Sequence, residues 1–209
     1  MKLIFLGPPG AGKGTMAKKL AAAQKIAHVS TGDLFREAIA KATPLGQQVK
    51  SIIEKGDLVP DNLTIQLVVD RIAAKDCAQG FILDGFPRTI PQAQALENLV
   101  KADAAVNFAL SDAEVIRRLS GRRLCPACGK TFHVEFMPPE IPDVCDSCGA
   151  GLIIRKDDQI DSIKNRLAVY TAQTEPLIGF YTKRNLLKNV DSTPPPPDVF
   201  AALKSVLGL

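Results

Sequence analysis

The sequence predicts an α/β fold on three observations. Five short apolar runs alternate with longer stretches whose apolar residues recur at helical spacing. The first run, Lys2–Leu6, leads at once into Gly7-Pro8-Pro9-Gly10-Ala11-Gly12-Lys13-Gly14-Thr15 and then into the helix-forming stretch Met16–Ala23. Residues 125–148 differ in character and carry two Cys-x-x-Cys pairs. At 209 residues the chain is expected to be one domain, or one domain carrying insertions.

Strand, glycine-rich loop and helix form the context in which a loop binds phosphate. Glycines let backbone approach an anion closely, successive N–H groups turn inward, and the helix N-terminus adds partial positive charge. Residues Gly10, Ala11, Gly12, Lys13, Gly14 and Thr15 are the candidate cradle, with the Lys13 ammonium directed at the outer phosphates. The spacing Gly7-x4-Gly12-Lys13 fits the phosphate-loop pattern, but Gly14 follows the lysine and the hydroxyl comes only at Thr15. The usual hydroxyl ligand for Mg²⁺ is therefore displaced by one position. A plain Gly/Pro turn is the competing reading, and both flanks argue against it.

Composition narrows the class. Hydrophobic residues make up 46% and charged residues 23%, ordinary values for a globular chain. A net charge of +4 suits a small anionic substrate and is too weak alone to argue for nucleic acid. No apolar run approaches the roughly 18 residues of a membrane span. The N-terminus passes directly into strand and loop, unlike a signal peptide, so a cytoplasmic setting is expected.

Ile26–Val29 is the second strand candidate. Ser30-Thr31-Gly32-Asp33 then supplies helix-start chemistry before Leu34–Ile39. His28 beside this strand is read as structural rather than as a ligand. Leu45–Lys55 forms an amphipathic helix that Gly56 ends, and Pro60-Asp61 opens another from Asn62 to Lys75. Residues 30–59 thus hold two helices with no strand between them, a helical insertion rather than a βα unit. Gly80–Asp84 is an apolar strand ending in a carboxylate. The carboxyl ends of parallel strands face the ligand crevice, so Asp84 is placed to hold Mg²⁺ directly or through water. Arg88 follows at the same rim, and Pro91 sits early in a helix from Gln92 to Val100. Ala104–Leu110 is the next strand, and Ser111 starts a helix expected to carry Arg117, Arg118, Arg122 and Arg123.

Cys125-x-x-Cys128 and Cys145-x-x-Cys148 are separated by 16 residues, inside the zinc-knuckle range. Four thiolates close a tetrahedral site with no position left for water, so the expected Zn²⁺ is structural and folds a small β-rich flap. A redox pair is the weaker reading. The intervening acidic residues Glu135, Glu140 and Asp143 count against a phosphate-backbone surface. Cys77, the lone fifth cysteine, is read as a small buried hydrophobe. Arg155-Lys156-Asp157-Asp158 marks the exit from the flap, and a helix from about Gln159 to Leu187 follows, kinked or divided at Pro176. Ile160, Ile163, Leu167 and Tyr170 on it are read as core. Leu187–Asp191 is the last strand; Ser192–Pro197 is a stiff connector, and Asp198 caps a closing helix with Val199, Leu203 and Val206 inward.

Together these segments resemble the adenylate kinase family, on the phosphate loop, Ser30-Thr31-Gly32-Asp33 with Arg36, Asp84-Gly85-Phe86-Pro87-Arg88 with Gln92, Gly121-Arg122-Arg123, Arg155-Lys156-Asp157-Asp158 and Arg166. The resemblance covers nearly the whole chain. It implies a five-stranded parallel core (1–29, 60–121 and 159–209), a monophosphate-binding insert at 30–59 and a zinc-bearing lid at 122–158. The implied reaction is MgATP + AMP giving two ADP, by a cytoplasmic monomer with no nucleic-acid or membrane partner. On this resemblance Thr31 and Gln92 read the AMP base, Arg36 and Arg88 its phosphate, and Asp57, Leu58, Val59, Gly85, Phe86 and Pro87 line that side. Residues 10–15 and Arg122 hold ATP, with Thr131, Phe132 and Pro194 near its base or ribose. Arg155 and Arg166 close over the transferring group, and Lys13, Arg88, Arg122, Arg155, Arg166 and Asp84 form the catalytic set. A kinase for CMP or UMP, or a nucleic-acid-binding zinc protein, are the competing readings; Thr31 with Gln92 argues for AMP.

Overall fold

The computed structural model describes residues 1–209. Five strands form one parallel sheet: β1 (Lys2–Leu6), β2 (Ala27–Ser30), β3 (Phe81–Asp84), β4 (Ala104–Ala109) and, after two short strands named below, β7 (Leu187–Asp191). Their order is β2-β3-β1-β4-β7. The central strand β1 is buried on both faces, which is why its sequence is continuously apolar rather than alternating. Leu3 and Phe5 point into one core with Leu20 of α1 (Lys13–Gln24) and Leu203 of α9 (Pro196–Leu207). Ile4 and Leu6 point into the other, with Leu96 of α5 (Ile90–Leu99) and Leu177 and Tyr181 of α8 (Pro176–Thr182). The two-residue period of a strand thus assigns one strand to two cores.

Register sets the active rim. Phe5 lies opposite Asp84, and Asp84 opposite Ser30, so the carboxyl ends of β1, β3 and β2 finish level. The phosphate loop, the Asp84 carboxylate and the start of α2 (Thr31–Ala40) therefore share one edge. Ser30 caps α2 by accepting a hydrogen bond from the Asp33 N–H. The helical insertion is α2 followed by α3 (Pro44–Lys55), with its own cluster of Phe35, Val49 and Val59, ahead of α4 (Asp61–Ile72). Cys77 is buried, as read.

Several local expectations are corrected. Helix α6 (Asp112–Ser120) carries Arg117 and Arg118 only; Arg122 and Arg123 lie on β5 (Arg122–Leu124), which pairs antiparallel with β6 (Thr131–His133). The helix stops because the chain turns at Gly121, where the His133 ring packs so closely that a Cβ would sit 2.4 Å from it. The long helix is α7 (Ile160–Val169), a π-helical turn over Tyr170–Thr174, and α8, which ends at Thr182. The division expected at Pro176 is present: proline cannot donate, and the wider turn, closed by the Glu175 N–H on the Tyr170 carbonyl at 2.9 Å, leads into α8, which begins at Pro176. Ile160 is exposed, because it begins α7 on the solvent side, whereas Ile163 and Leu167 are buried against Val115 and Leu119 of α6. Helix α9 starts inside the proline run, so Asp198 occupies its first turn and does not cap it.

Candidate active site

The phosphate loop is shaped by close packing. Gly7, Gly10 and Gly12 all have positive φ, and a Cβ on Gly7 would lie 2.5 Å from the Phe108 carbonyl oxygen of β4. No other residue lets the loop leave β1 in this direction. Lys13 Nζ donates to the carbonyls of Gly7 and Pro8, each at 2.7 Å, which folds the ammonium back over the loop. Burial, opposed by Asp84 and assisted by Arg88, Arg166 and Arg122, brings its pKa down to about 7. A bound anion in the loop reverses that penalty, so the lysine is a charge held ready for phosphate. The Asp84 carboxylate faces the loop across Gly14 and meets His28 Nε2 at 3.3 Å.

A second recess opens between α2, the segment after α3, and the turn after β3. Thr31, Arg36, Asp57, Leu58, Val59, Gly85, Arg88, Gln92 and Arg166 line it. Thr31 Oγ1 and Arg88 Nε both donate to the Gly85 carbonyl, at 2.8 and 2.9 Å. Gly85 is needed at this point, with φ of +80° and a would-be Cβ 2.9 Å from both Thr31 Oγ1 and an Arg88 terminal nitrogen. Arg36 is held by Asp33 at 2.6 Å on the same helix. Phe86 and Pro87 are buried beneath the recess and do not line it.

Between the two sites the cations converge. Lys13, Arg88, Arg166 and Arg122 act on one another electrostatically, and Arg36 and Arg155 join the same set. Burial first, then Arg166 and the other like charges, lowers Arg88 to about 10; burial, then Arg122 and Arg36, lowers Arg155 to about 10. Arg155 Nε is buried with no partner. A half-buried guanidinium whose Nε lacks a partner, set among like charges, attracts anions. Asp158 organises the far side: its carboxylate, with no solvent exposure, accepts from Arg122 through Nε and a terminal nitrogen and from Arg166 at 3.1 Å. Asp157 accepts from Arg166 at 3.0 Å; burial raises its carboxyl, but Arg166, Arg122, Arg36 and Arg155 together hold it below the ordinary range.

The flap brings Cys125, Cys128, Cys145 and Cys148 together, with all four sulfurs within 4.8 Å of one another. Cys125 and Cys148 are 3.4 Å apart and Cys128 and Cys145 3.6 Å, and all are free thiols. Thiolates about 2.3 Å from a tetrahedral zinc stand about 3.8 Å apart, so the donor set fits that ion. Phe132 is buried between Cys125 and Cys145, its ring turned into the flap, while Thr131 is partly exposed. Pro194 follows Thr193, whose carbonyl accepts from Arg118 at 3.0 Å.

Reading residues in order missed three groups. Asp158 was legible only as part of a charged exit. Asp61 was legible only as a helix opener, yet it contacts Gln92. Phe35, Gly56 and Thr64 line the recess with no polar signature that marks them.

A phosphate loop on a parallel sheet, facing a separate cation-lined recess across a cluster of arginines, defines a nucleotide-dependent phosphotransferase. The adenylate kinase family model matches residues 5–186. An adenylate kinase of Lachnospira eligens is 52% identical over 213 residues, covering 100% of both chains. One of Treponema denticola is 55% identical over 204 residues, covering 98% of each, and one of Methanocella arvoryzae is 49% identical over 212, covering 99% of this chain and 98% of its own. The chain belongs to the adenylate kinase family. None of its helices is long and apolar enough to cross a membrane.

Proposed function

We propose that this chain performs the adenylate kinase reaction, MgATP + AMP ⇌ 2 ADP, with ATP on the loop at residues 10–15 and AMP in the recess lined by Thr31, Arg36, Arg88 and Gln92. The observation that carries this assignment is the shared field of Lys13, Arg36, Arg88, Arg122, Arg155 and Arg166 between the two sites. An oxygen of the AMP phosphate forms a bond to the γ-phosphorus of ATP, and the bond to the β,γ-bridging oxygen breaks, leaving ADP on each side. Little covalent chemistry is required of the protein; it brings the two phosphates into line and disperses the charge on the transferring group. Lys13 and Arg122 hold the donor, Arg36 and Arg88 the acceptor, and Arg155 and Arg166 the group in flight. Mg²⁺ with the nucleotide would neutralise the β- and γ-oxygens, and Asp84, across from Gly14, is the carboxylate placed to hold it.

Residues 30–59 are proposed as an AMP-binding insert and 122–158 as a lid stiffened by Zn²⁺ on the four cysteines. A contact between the two segments supports closure around ligand, Lys156 meeting Glu54 at 2.9 Å, and the insert is also tied to the core where Asn165 meets Asp57 at 2.7 Å. Closure excludes water, which would otherwise take the phosphoryl group. Thr131, Pro194 and the backbone of Phe132 are proposed to border the donor base. Free thiols throughout support a cytoplasmic setting, and one copy holding every cation of the site supports a monomer. A coupled assay for ADP formation from ATP with AMP, CMP, UMP or GMP tests the reading. AMP is expected to be used far better than the other three; equal use of CMP or UMP would overturn it.

A further inference from the structure

A primary amide offers a donor at one end and an acceptor at the other, and a half-turn about its last bond exchanges them. Gln92 alone could therefore read either of two opposite base patterns. Its surroundings remove that freedom. Gln92 Oε1 accepts from the Arg88 backbone N–H at 2.8 Å, and Nε2 donates to Asp61 Oδ1 at 2.7 Å. The N–H can only donate and the carboxylate only accept, so a turned amide would set donor against donor and acceptor against acceptor. Asp61 is itself anchored, its Oδ2 accepting from Thr89 Oγ1 at 3.0 Å, and it begins α4, where the helix N-terminus favours negative charge. Gln92 is only 1% exposed, so a mismatched amide would find little water to satisfy it. One oxygen lone pair and one N–H remain for a ligand.

We infer that Asp61, together with the Arg88 backbone N–H, sets the polarity with which the monophosphate site reads a base, by fixing the orientation of the Gln92 amide. The inference rests on the proposed role of Gln92 as a base contact. An amino group beside an unprotonated ring nitrogen fits the fixed amide: adenine N6–H donates to Oε1 and N1 accepts from Nε2. Guanine reverses both groups, placing its O6 against Oε1 and its N1–H against the amide N–H. Cytosine shares the adenine pattern and uracil the guanine pattern. Asp61 is thus a positioning residue for selection against keto bases, and selection between adenine and cytosine is left to other parts of the recess.

The test is kcat/KM for AMP, GMP and CMP, with ATP as donor, in the parent, Asp61→Ala, Asp61→Asn and Gln92→Ala. Asp61→Ala leaves the Arg88 N–H as the one remaining hold on the amide, so it is expected to lower the AMP-to-GMP ratio about fivefold or more, the lower worth of one base contact, and to leave the AMP-to-CMP ratio within about threefold. Asp61→Asn keeps an oxygen that can accept from Gln92 and is expected to retain most of the AMP-to-GMP ratio. If the alanine variant does not fold, Asp61→Ser, which suits a helix start but is too short to reach Gln92, replaces it. A merely structural Asp61 would lower all three substrates together, and that outcome overturns the inference. An unchanged AMP-to-GMP ratio in the Asp61 variant, beside a collapsed one in Gln92→Ala, overturns it while sparing the role of Gln92. An unchanged ratio in Gln92→Ala removes that role and the inference with it.

Discussion

Replacing Asp158 by asparagine tests whether the arginine cluster is held by one buried carboxylate. The side chain has no solvent exposure and accepts from Arg122 twice and from Arg166 once. Asparagine preserves the volume, so no cavity forms; the change is the loss of a charge facing two guanidinium groups that are themselves only 18% and 19% exposed. Breaking a buried pair from one side costs about 3–5 kcal/mol, because the remaining cation stays buried without its counter-charge. The asparagine Oδ1 can still accept one bond, so the lower end, about 3 kcal/mol, is expected. In a chain of this size each kcal/mol moves the unfolding midpoint by about 2–4 °C, giving a drop of about 6–12 °C in a calorimetric or fluorescence melt without ligand. Inorganic phosphate or ATP supplies the missing negative charge and is expected to raise the midpoint of the variant more than that of the parent. A drop below about 2 °C, with equal protection of both proteins by phosphate, would refute the claim that Asp158 holds Arg122 and Arg166 together.

Three further outcomes are expected. Lys13→Ala lowers the rate of ADP formation by roughly 10²-fold or more while the melt stays cooperative, since it removes a transition-state charge from a loop whose shape is set by backbone packing; a loss under about threefold contradicts the phosphate role. A strong chelator releases one zinc per chain, read with a colorimetric zinc indicator, and lowers the unfolding midpoint, because the flap buries only Cys125, Phe132 and Cys145 as a core of its own; no released metal and an unmoved midpoint refute the zinc assignment. Asp157→Asn destabilises the protein at neutral pH, and the gap to the parent closes under acid. The folded carboxyl lies below its ordinary value of 3.8, so its contribution is complete above that value and is lost as pH falls through the lower folded value; a gap that stays constant from pH 7 to pH 2 would show that Asp157 is not ionised in the fold.

Much of the site can be read from residues in order. The loop from Gly7 to Thr15 is specified within a few positions, because its glycines, its lysine and its flanking strand and helix interact locally. The two Cys-x-x-Cys pairs likewise fix a four-sulfur site through their spacing. The two strand faces follow from the continuous apolar run of β1. Local reading fails where a neighbour distant in sequence decides the outcome. Arg122 continues the charged pattern of α6, yet the helix ends at Ser120 and Arg122 lies on β5, paired with His133 of β6 and bonded to Asp158, 36 positions away. The helix divides at Pro176 as the proline dictates, but the wider turn over Tyr170–Thr174 ahead of it has no mark in the neighbouring residues.

The sequence alone determined the parts that can bind phosphate and metal: a loop of N–H groups with a lysine, and four thiolates at knuckle spacing. The loop, and each Cys-x-x-Cys knuckle taken singly, is built from atoms that meet through a few bonds of chain, and the regular spacing of the two knuckles marks them as one set. Only the tertiary structure decided that Arg36, Arg88 and Arg166 line one recess, and that Arg122 and Arg155 lie near enough to act on the same set of charges. It also decided which way the Gln92 amide points, because Asp61 lies 31 positions before it and meets it only across packed helices. Charges of one sign do not gather by local preference; they are held together by the packing of distant segments and by buried carboxylates such as Asp158, and the pattern of neighbouring residues carries no record of that balance.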